Sequence, residues 1–71
     1  MATDVPAHIT GTVWKIEKKV GDPVVTGDIL IILESMKMEM PVEGPVDGTL
    51  QELRCMEAQP VNEGDILAVI G

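Results

Sequence analysis

Apolar side chains fall along this chain in short, sharply bounded groups. Ile29 to Leu33 is an unbroken aliphatic run, and Ile66 to Ile70 is a second. Around Val13 and Ile16, and again around Leu50 and Leu53, apolar positions alternate loosely with polar ones. Runs of about five residues, rich in β-branched side chains, predict strands suited to burial inside a small sandwich. Gly21 with Asp22, Gly27 with Asp28, Asp47 with Gly48, and Gly64 with Asp65 supply turn chemistry. Gly tolerates positive φ there, and Asp can hydrogen-bond its own backbone. Turns therefore recur about every eight to twelve residues, the spacing of an all-β sandwich or barrel.

The pattern is written twice. A shift of 37 positions lays the segment from Gly11 onto the segment from Gly48. Gly11, Thr12, Pro23, Val24, Gly27, Asp28, Ile29 and Leu30 then coincide with Gly48, Thr49, Pro60, Val61, Gly64, Asp65, Ile66 and Leu67. Ordinary composition would give roughly one or two such matches. Two copies are too few for a solenoid, which needs about three. The expected solution is two similar halves closing around a pseudo-two-fold axis. Leu50 to Ala58 has good helix formers, but its repeat partner VWKIEKKV has the charged outer positions of a strand, so both are assigned strand.

Composition narrows the picture. With 71 residues, the expectation is one domain spanning 1–71, near the size at which an unaided core outweighs chain entropy. One Trp and no Phe or Tyr leave an aliphatic core, with Trp14 most simply a partly buried packing residue. A net charge of −7 repels phosphate backbones and anionic lipid, so neither nucleic acid nor membrane is an expected partner. The longest aliphatic run is far short of a membrane span, and MATDVPAHIT lacks the basic and apolar regions of a secretory signal. A lone Cys55 fits a reducing compartment, the cytoplasm or, for a domain excised from a longer chain, an organelle matrix.

Between the two copies lies ESMKMEMPVEGPV, and Lys37 within it has no repeat counterpart. Connecting segments on rigid scaffolds are the usual seat of function. Read plainly, Glu34 to Met40 is an edge strand with Met36, Met38 and Met40 on one face and Ser35, Lys37 and Glu39 toward water. That reading leaves the methionines unexplained, because β-branched residues pack better in strands while Met suits adaptable contacts. Met-x-Met-x-Met also offers soft thioethers for Cu(I), with Cys55 as an added ligand, although no His or Cys cluster supports it. The remaining reading makes Lys37 a chemical handle. Unaided, a lysine amine at neutral pH is almost wholly ammonium and a poor nucleophile. No activating constellation accompanies it, since His8 is the sole histidine and Ser35 has no evident base. Modification of Lys37 by a separate enzyme suits these residues better than catalysis.

Glu34, Ser35, Met36, Lys37, Met38 and Glu39 closely resemble the attachment motif of the biotinyl/lipoyl domain family, closest to biotin carboxyl carrier proteins. The resemblance extends to GDPVVTGDILIILESMKM, MEMPVEGPVDGTL and PVNEGDILAVI, nearly the whole chain. It implies a flattened β-barrel of two four-stranded antiparallel sheets with pseudo-two-fold symmetry, the modified lysine on a hairpin and both termini at the far end. It further implies that Lys37 is biotinylated by a biotin protein ligase, with Met36 and Met38 as flanking contacts and Glu34 and Glu39 as features for the ligase. Biotin on Lys37 would shuttle carboxyl groups between a biotin carboxylase and a carboxyltransferase, the chain itself being a non-catalytic carrier. Lipoyl domains share the fold but more often carry Asp-Lys-Ala, so Met-Lys-Met favours biotin, with lipoate the alternative.

The chain departs from the family pattern in three places. The leading Ala-Pro-Met-Pro-Gly is here Ala7, His8, Ile9, Thr10, Gly11; Ala58 and Gln59 replace the second Gly-Asp; and no inserted thumb separates the first-copy strands. Ala58 is therefore expected to resist positive φ. A barrel that binds partners without any modification, or binds copper, remains open at this point. So does the question of a free-standing protein against an excised domain.

Overall fold

The computed structural model describes residues 2–71. Each predicted aliphatic run becomes a central strand, because a run apolar on both faces is stable only with a sheet partner on either side and a second sheet beneath it. The strands are β1 (Thr3–Pro6), β2 (Gly11–Ile16), β3 (Pro23–Val24), β4 (Ile29–Ser35), β5 (Met38–Glu43), β6 (Gly48–Leu53), β7 (Pro60–Val61) and β8 (Ile66–Ile70). They form two four-stranded antiparallel sheets, ordered β1-β8-β6-β3 and β5-β4-β2-β7. The short strands change sides: β3 of the first half pairs with β6 of the second, and β7 of the second half pairs with β2 of the first.

The two-fold relation extends to individual pairs. Thr3, Asp4 and Val5 face Ile70, Val69 and Ala68; moved by 37, these become Met40, Pro41 and Val42 facing Leu33, Ile32 and Ile31. The repeat thus includes β1 and β5, where Val5 and Val42 are the only identical residues. Both ladders slip at the same place. Leu30 is passed over between Ile29 and Ile31, as is Leu67 between the partners of Val5 and Pro6. A bulge of this kind turns two consecutive side chains to the same side. Leu30 with Ile31, and Leu67 with Ala68, are accordingly all buried.

Val13, Leu30, Ile31, Leu33, Leu50, Leu67 and Ile70 form the centre of an aliphatic core, each at most 1% exposed. Burying one such side chain contributes about 1.5–3 kcal/mol, so the core holds the halves together without any aromatic residue. Cys55 lies in the same cluster, and burial pushes its thiol pKa up. Among the described residues no helix is long and apolar enough to cross a membrane.

The turns repeat as well. Gly27 and Gly64 have φ of 95° and 94°, while the Oδ2 atoms of Asp28 and Asp65 accept from the N–H groups of Val25 and Asn62 at 2.9 and 2.8 Å. At the earlier turn Gly21 has φ 98° and Asp22 Oδ2 accepts from Lys19 N–H at 3.0 Å.

Three expectations need correction. Ala58, expected to resist positive φ, adopts φ 70°. Gln59 Oε1 takes over the carboxylate's part, accepting from Met56 N–H at 3.0 Å, and Ala58 N–H donates to Val13 O at 2.7 Å as Gly21 N–H does to Leu50 O. These bonds outweigh a left-handed penalty of about 1–2 kcal/mol. The strands expected over Val13 to Val20 and over Leu50 to Ala58 stop at Ile16 and Leu53, where the chain enters the matched turns. Trp14 sits at the bulge between Val13 and Lys15 and stays 43% exposed, with Lys15 Nζ 5.5 Å from its ring centroid.

Candidate functional site

The hairpin β4–β5 rises from the most extensively paired part of the fold. Six residue pairs join its strands, ending in Glu34↔Glu39 and Ser35↔Met38, so Met36 and Lys37 alone form the loop. A two-residue loop with both φ angles positive, 52° and 66°, has the signature of a type I′ turn, whose twist matches the flanking strands. Asn-Gly is the usual choice for such a loop. Met and Lys in left-handed conformations are costly, and strain of this kind is held only where the surroundings over-determine it. The long ladder beneath supplies that constraint.

Lys37 is exposed at the apex. The ion pairs among the described residues are Lys18–Asp28 and Arg54–Glu52, so no carboxylate holds its ammonium. Glu34 and Glu39 are both exposed and stand directly opposite one another across the ladder. Like charges in that arrangement repel. Met36 is 92% exposed and Met38 62% exposed. The edge-strand reading placed all three methionines on one continuous strand; the turn breaks that strand after Ser35, and only Met38 and Met40 remain within β5.

Every residue singled out around Lys37 in the sequence is thus brought together at the tip. His8 and Cys55 are not. His8 lines a separate groove with Pro6, Pro41 and Glu43, and Cys55 is in the core. No group of three or more His, Cys, Asp or Glu among the described residues is placed to hold a metal.

Ile9 is a participant that the sequence did not reveal. Beside the turn is an apolar cup of about 170 Å3 lined by Ile9, Ser35, Met36, Met38 and Met40. Gly11 makes this approach possible: a Cβ there would sit 2.5 Å from Glu34 O and 3.3 Å from Ser35 Cβ. The segment leading into β2 can therefore lie against the hairpin just below the turn, with Ile9 also packed on the core. The available signal was the departure from the family pattern at Ile9. At the opposite end of the connecting segment, Asp47 Oδ1 accepts from the N–H and hydroxyl of Thr26 at 2.7 and 2.9 Å, anchoring it to the first half.

The tip is thus a strained two-residue turn that displays a primary amine without an ion-pair partner, on one arm of a duplicated barrel. The family model described as Biotin-requiring enzyme matches residues 1–70, and the chain belongs to this biotin/lipoyl attachment family. It is 41% identical over 63 residues to the Biotin/lipoyl attachment protein of Bacillus subtilis, covering 89% of this chain and 86% of that one. It is 40% identical over 70 residues to a Mycobacterium leprae protein called Biotinylated protein TB7.3 homolog, covering 99% of both. Among solved structures, the urea carboxylase of Kluyveromyces lactis contains a region matching all of this chain with TM-score 0.95 and 37% identity. The chain spans 6% of that enzyme's length.

Proposed function

We propose that Lys37 carries a covalent biotinyl group, and that residues 1–71 act as one non-catalytic carrier domain serving a biotin-dependent carboxylase. The observation behind this reading is the isolated amine at the apex of the β4–β5 turn, exposed and without a charged partner. A primary amine there fits the group chemically, since it can form an amide without rearrangement of the fold. In that step a biotin protein ligase presents biotinyl adenylate, the Lys37 ammonium gives up its proton to the ligase or solvent, Nζ attacks the acyl carbonyl, and the acyl–phosphate bond breaks to release AMP and the second amine proton. When attached, biotin supplies a ring nitrogen that takes up a carboxyl group at a biotin carboxylase and yields it at a carboxyltransferase.

This chain's contribution is presentation. The rigid hairpin fixes where the arm begins, and tethering keeps the arm's end at an effective concentration of order millimolar near both partner sites. Met36 and Met38 offer the ligase unbranched, adaptable contacts. Glu34 and Glu39 keep the tip hydrated and give the ligase a charged feature on each side of the lysine. A reducing compartment, cytoplasm or organelle matrix, is the setting consistent with a free buried Cys55.

Intact mass after coexpression with a biotin protein ligase tests the reading. A single biotinyl increment, absent from Lys37→Arg, is expected; an increment retained by that variant would refute the assignment. Lipoate is the second reading, since the name of the Bacillus subtilis attachment protein covers both groups and another relative of 38% identity is named for a dihydrolipoyllysine residue. Coexpression with a lipoate ligase, with lipoate supplied, separates the two.

A further inference from the structure

The cup beside Lys37 shares Ile9 with the core and Met36 and Met38 with the ligase contacts proposed above, but neither role explains a concave apolar surface next to the amine. It is built from both sides of the tip: Met36 and Met38 immediately flank the lysine, Met40 and Ser35 stand one step down the hairpin, and Ile9 closes the far wall. Met36 and Met38 are 92% and 62% exposed, so water meets this apolar surface in the unmodified protein. Three methionines give a lining whose side chains can re-pack around a guest, while the β-branched Ile9, held against the core, gives it one stiff wall.

We propose that this cup is a resting site for the aliphatic chain of the acyl group on Lys37. The inference rests on the attachment reading above and adds a bound state for the arm. Its occupant is defined by covalent connection: the chain starts at Lys37 Nζ, so it is present at the cup's rim at high effective concentration and a weak apolar contact suffices to populate the docked state. At about 170 Å3 the cup has room for a short alkyl chain. Biotinyl and lipoyl arms share that linear chain. Docking buries the arm's methylenes and the exposed methionine methyls together, removing both from water. The arm would then alternate between a docked form, with its head near the hairpin, and an extended form that reaches a partner.

The test compares proteins labelled at the Met and Ile methyl groups: unmodified, biotinylated, lipoylated, and carrying acetyllysine at position 37. Acetyllysine removes the ammonium between Glu34 and Glu39 without adding a chain, so it isolates the effect of charge. We expect the Met38, Met40 and Ile9 methyl resonances to move in the biotinylated and lipoylated proteins beyond their positions in the acetylated one. Nuclear Overhauser contacts to arm methylenes should accompany the shift. Ile9→Asp, checked for an unchanged fold by its remaining methyl spectrum, should remove those contacts and speed avidin capture of the biotinylated protein by about twofold or more, as the extended fraction rises. Should Ile9→Asp unfold the domain, Met40→Ser carries the same expectation from the other wall. Shifts identical to those of the acetylated protein, with no methylene contacts, would overturn the docking proposal and leave attachment intact. Failure of both acids to attach, read by mass, would instead remove the carrier reading and this one with it.

Discussion

The two halves of the chain match strand for strand and turn for turn, whereas Met36 and Lys37 at the turn joining them match nothing. Across the halves, the strand registers, the bulges at Leu30 and Leu67, and the turn bonds made by Asp22 and Gln59 recur at a constant offset. The joining turn is different in kind. Its two residues are neither Gly nor Asn, both have positive φ, and the only contacts they could satisfy lie outside the chain or in the small cup beside it. Repetition therefore separates what the barrel needs for stability from what it displays. A residue that appears in both copies is accounted for by packing and hydrogen bonding; Lys37 is accounted for by neither.

Substitutions can break this division or sharpen it. The largest effect belongs to Lys37→Arg: covalent loading should vanish completely by intact mass, while the melting temperature stays within about 1 °C, because an exposed side chain without partners contributes little. A marked fall in melting temperature would place the lysine among the structural residues. Next come the paired core leucines. Leu30→Ala and Leu67→Ala, both fully buried, should each cost about 2–5 kcal/mol in urea unfolding, and by similar amounts. A difference greater than about 2 kcal/mol between them would show that the halves are not energetically equivalent.

Smaller effects are expected at the matched turns. Gly21→Ala should destabilise by about 1 kcal/mol, since φ 98° is poorly suited to a residue with Cβ. Ala58→Gly should stabilise by about 0.5 kcal/mol, less than the full strain because the unfolded chain gains freedom. If Ala58→Gly instead destabilises, Ala58 is not strained and the bonds of Gln59 have been overvalued. The smallest effect is on acid stability. The Thr26 backbone N–H, then its hydroxyl, hold the Asp47 carboxyl below the ordinary 3.8, and the Val25 N–H, followed more weakly by Lys18, does the same for Asp28. A depressed folded-state pKa contributes stability that is present above the unfolded value and lost as pH falls through the folded one. Melting temperature should accordingly be flat with respect to these groups above about pH 5 and decline below about pH 4. Asp47→Asn should flatten that decline; an unchanged acid limb would mean that the Thr26 contacts are not maintained in solution.

Much of this architecture was legible because the repeat is carried by turn residues. Gly27–Asp28 and Gly64–Asp65 have the same job at the same spacing, and the aliphatic runs after them are long enough to identify as buried strands. The exchange of β3 and β7 between sheets was not legible, since a Pro-Val dipeptide has no period and its partners lie far away in sequence. The equivalence of β1 and β5 escaped for a related reason: edge strands are constrained on one face only, and Val5 with Val42 is the single inward pair kept. Ala58 departs from what Cβ sterics alone predict because the Gln59 side chain and the Val13 carbonyl bond the turn in its left-handed form. At the candidate site, Lys37 stood out as the unrepeated residue, but Ile9 reaches the hairpin through a close approach at Gly11 that no local pattern encodes.

The crossing of β3 and β7 has a consequence for how such a barrel can arise and be taken apart. Each half lends a short strand to the sheet of the other, so a fragment ending at the tip lacks a partner for its own lent strand, and two fragments supply one another. Cleavage between Met36 and Lys37 would leave two interlocked peptides rather than two miniature folds. A peptide of half this length would need a twin to pair the strand that it lends.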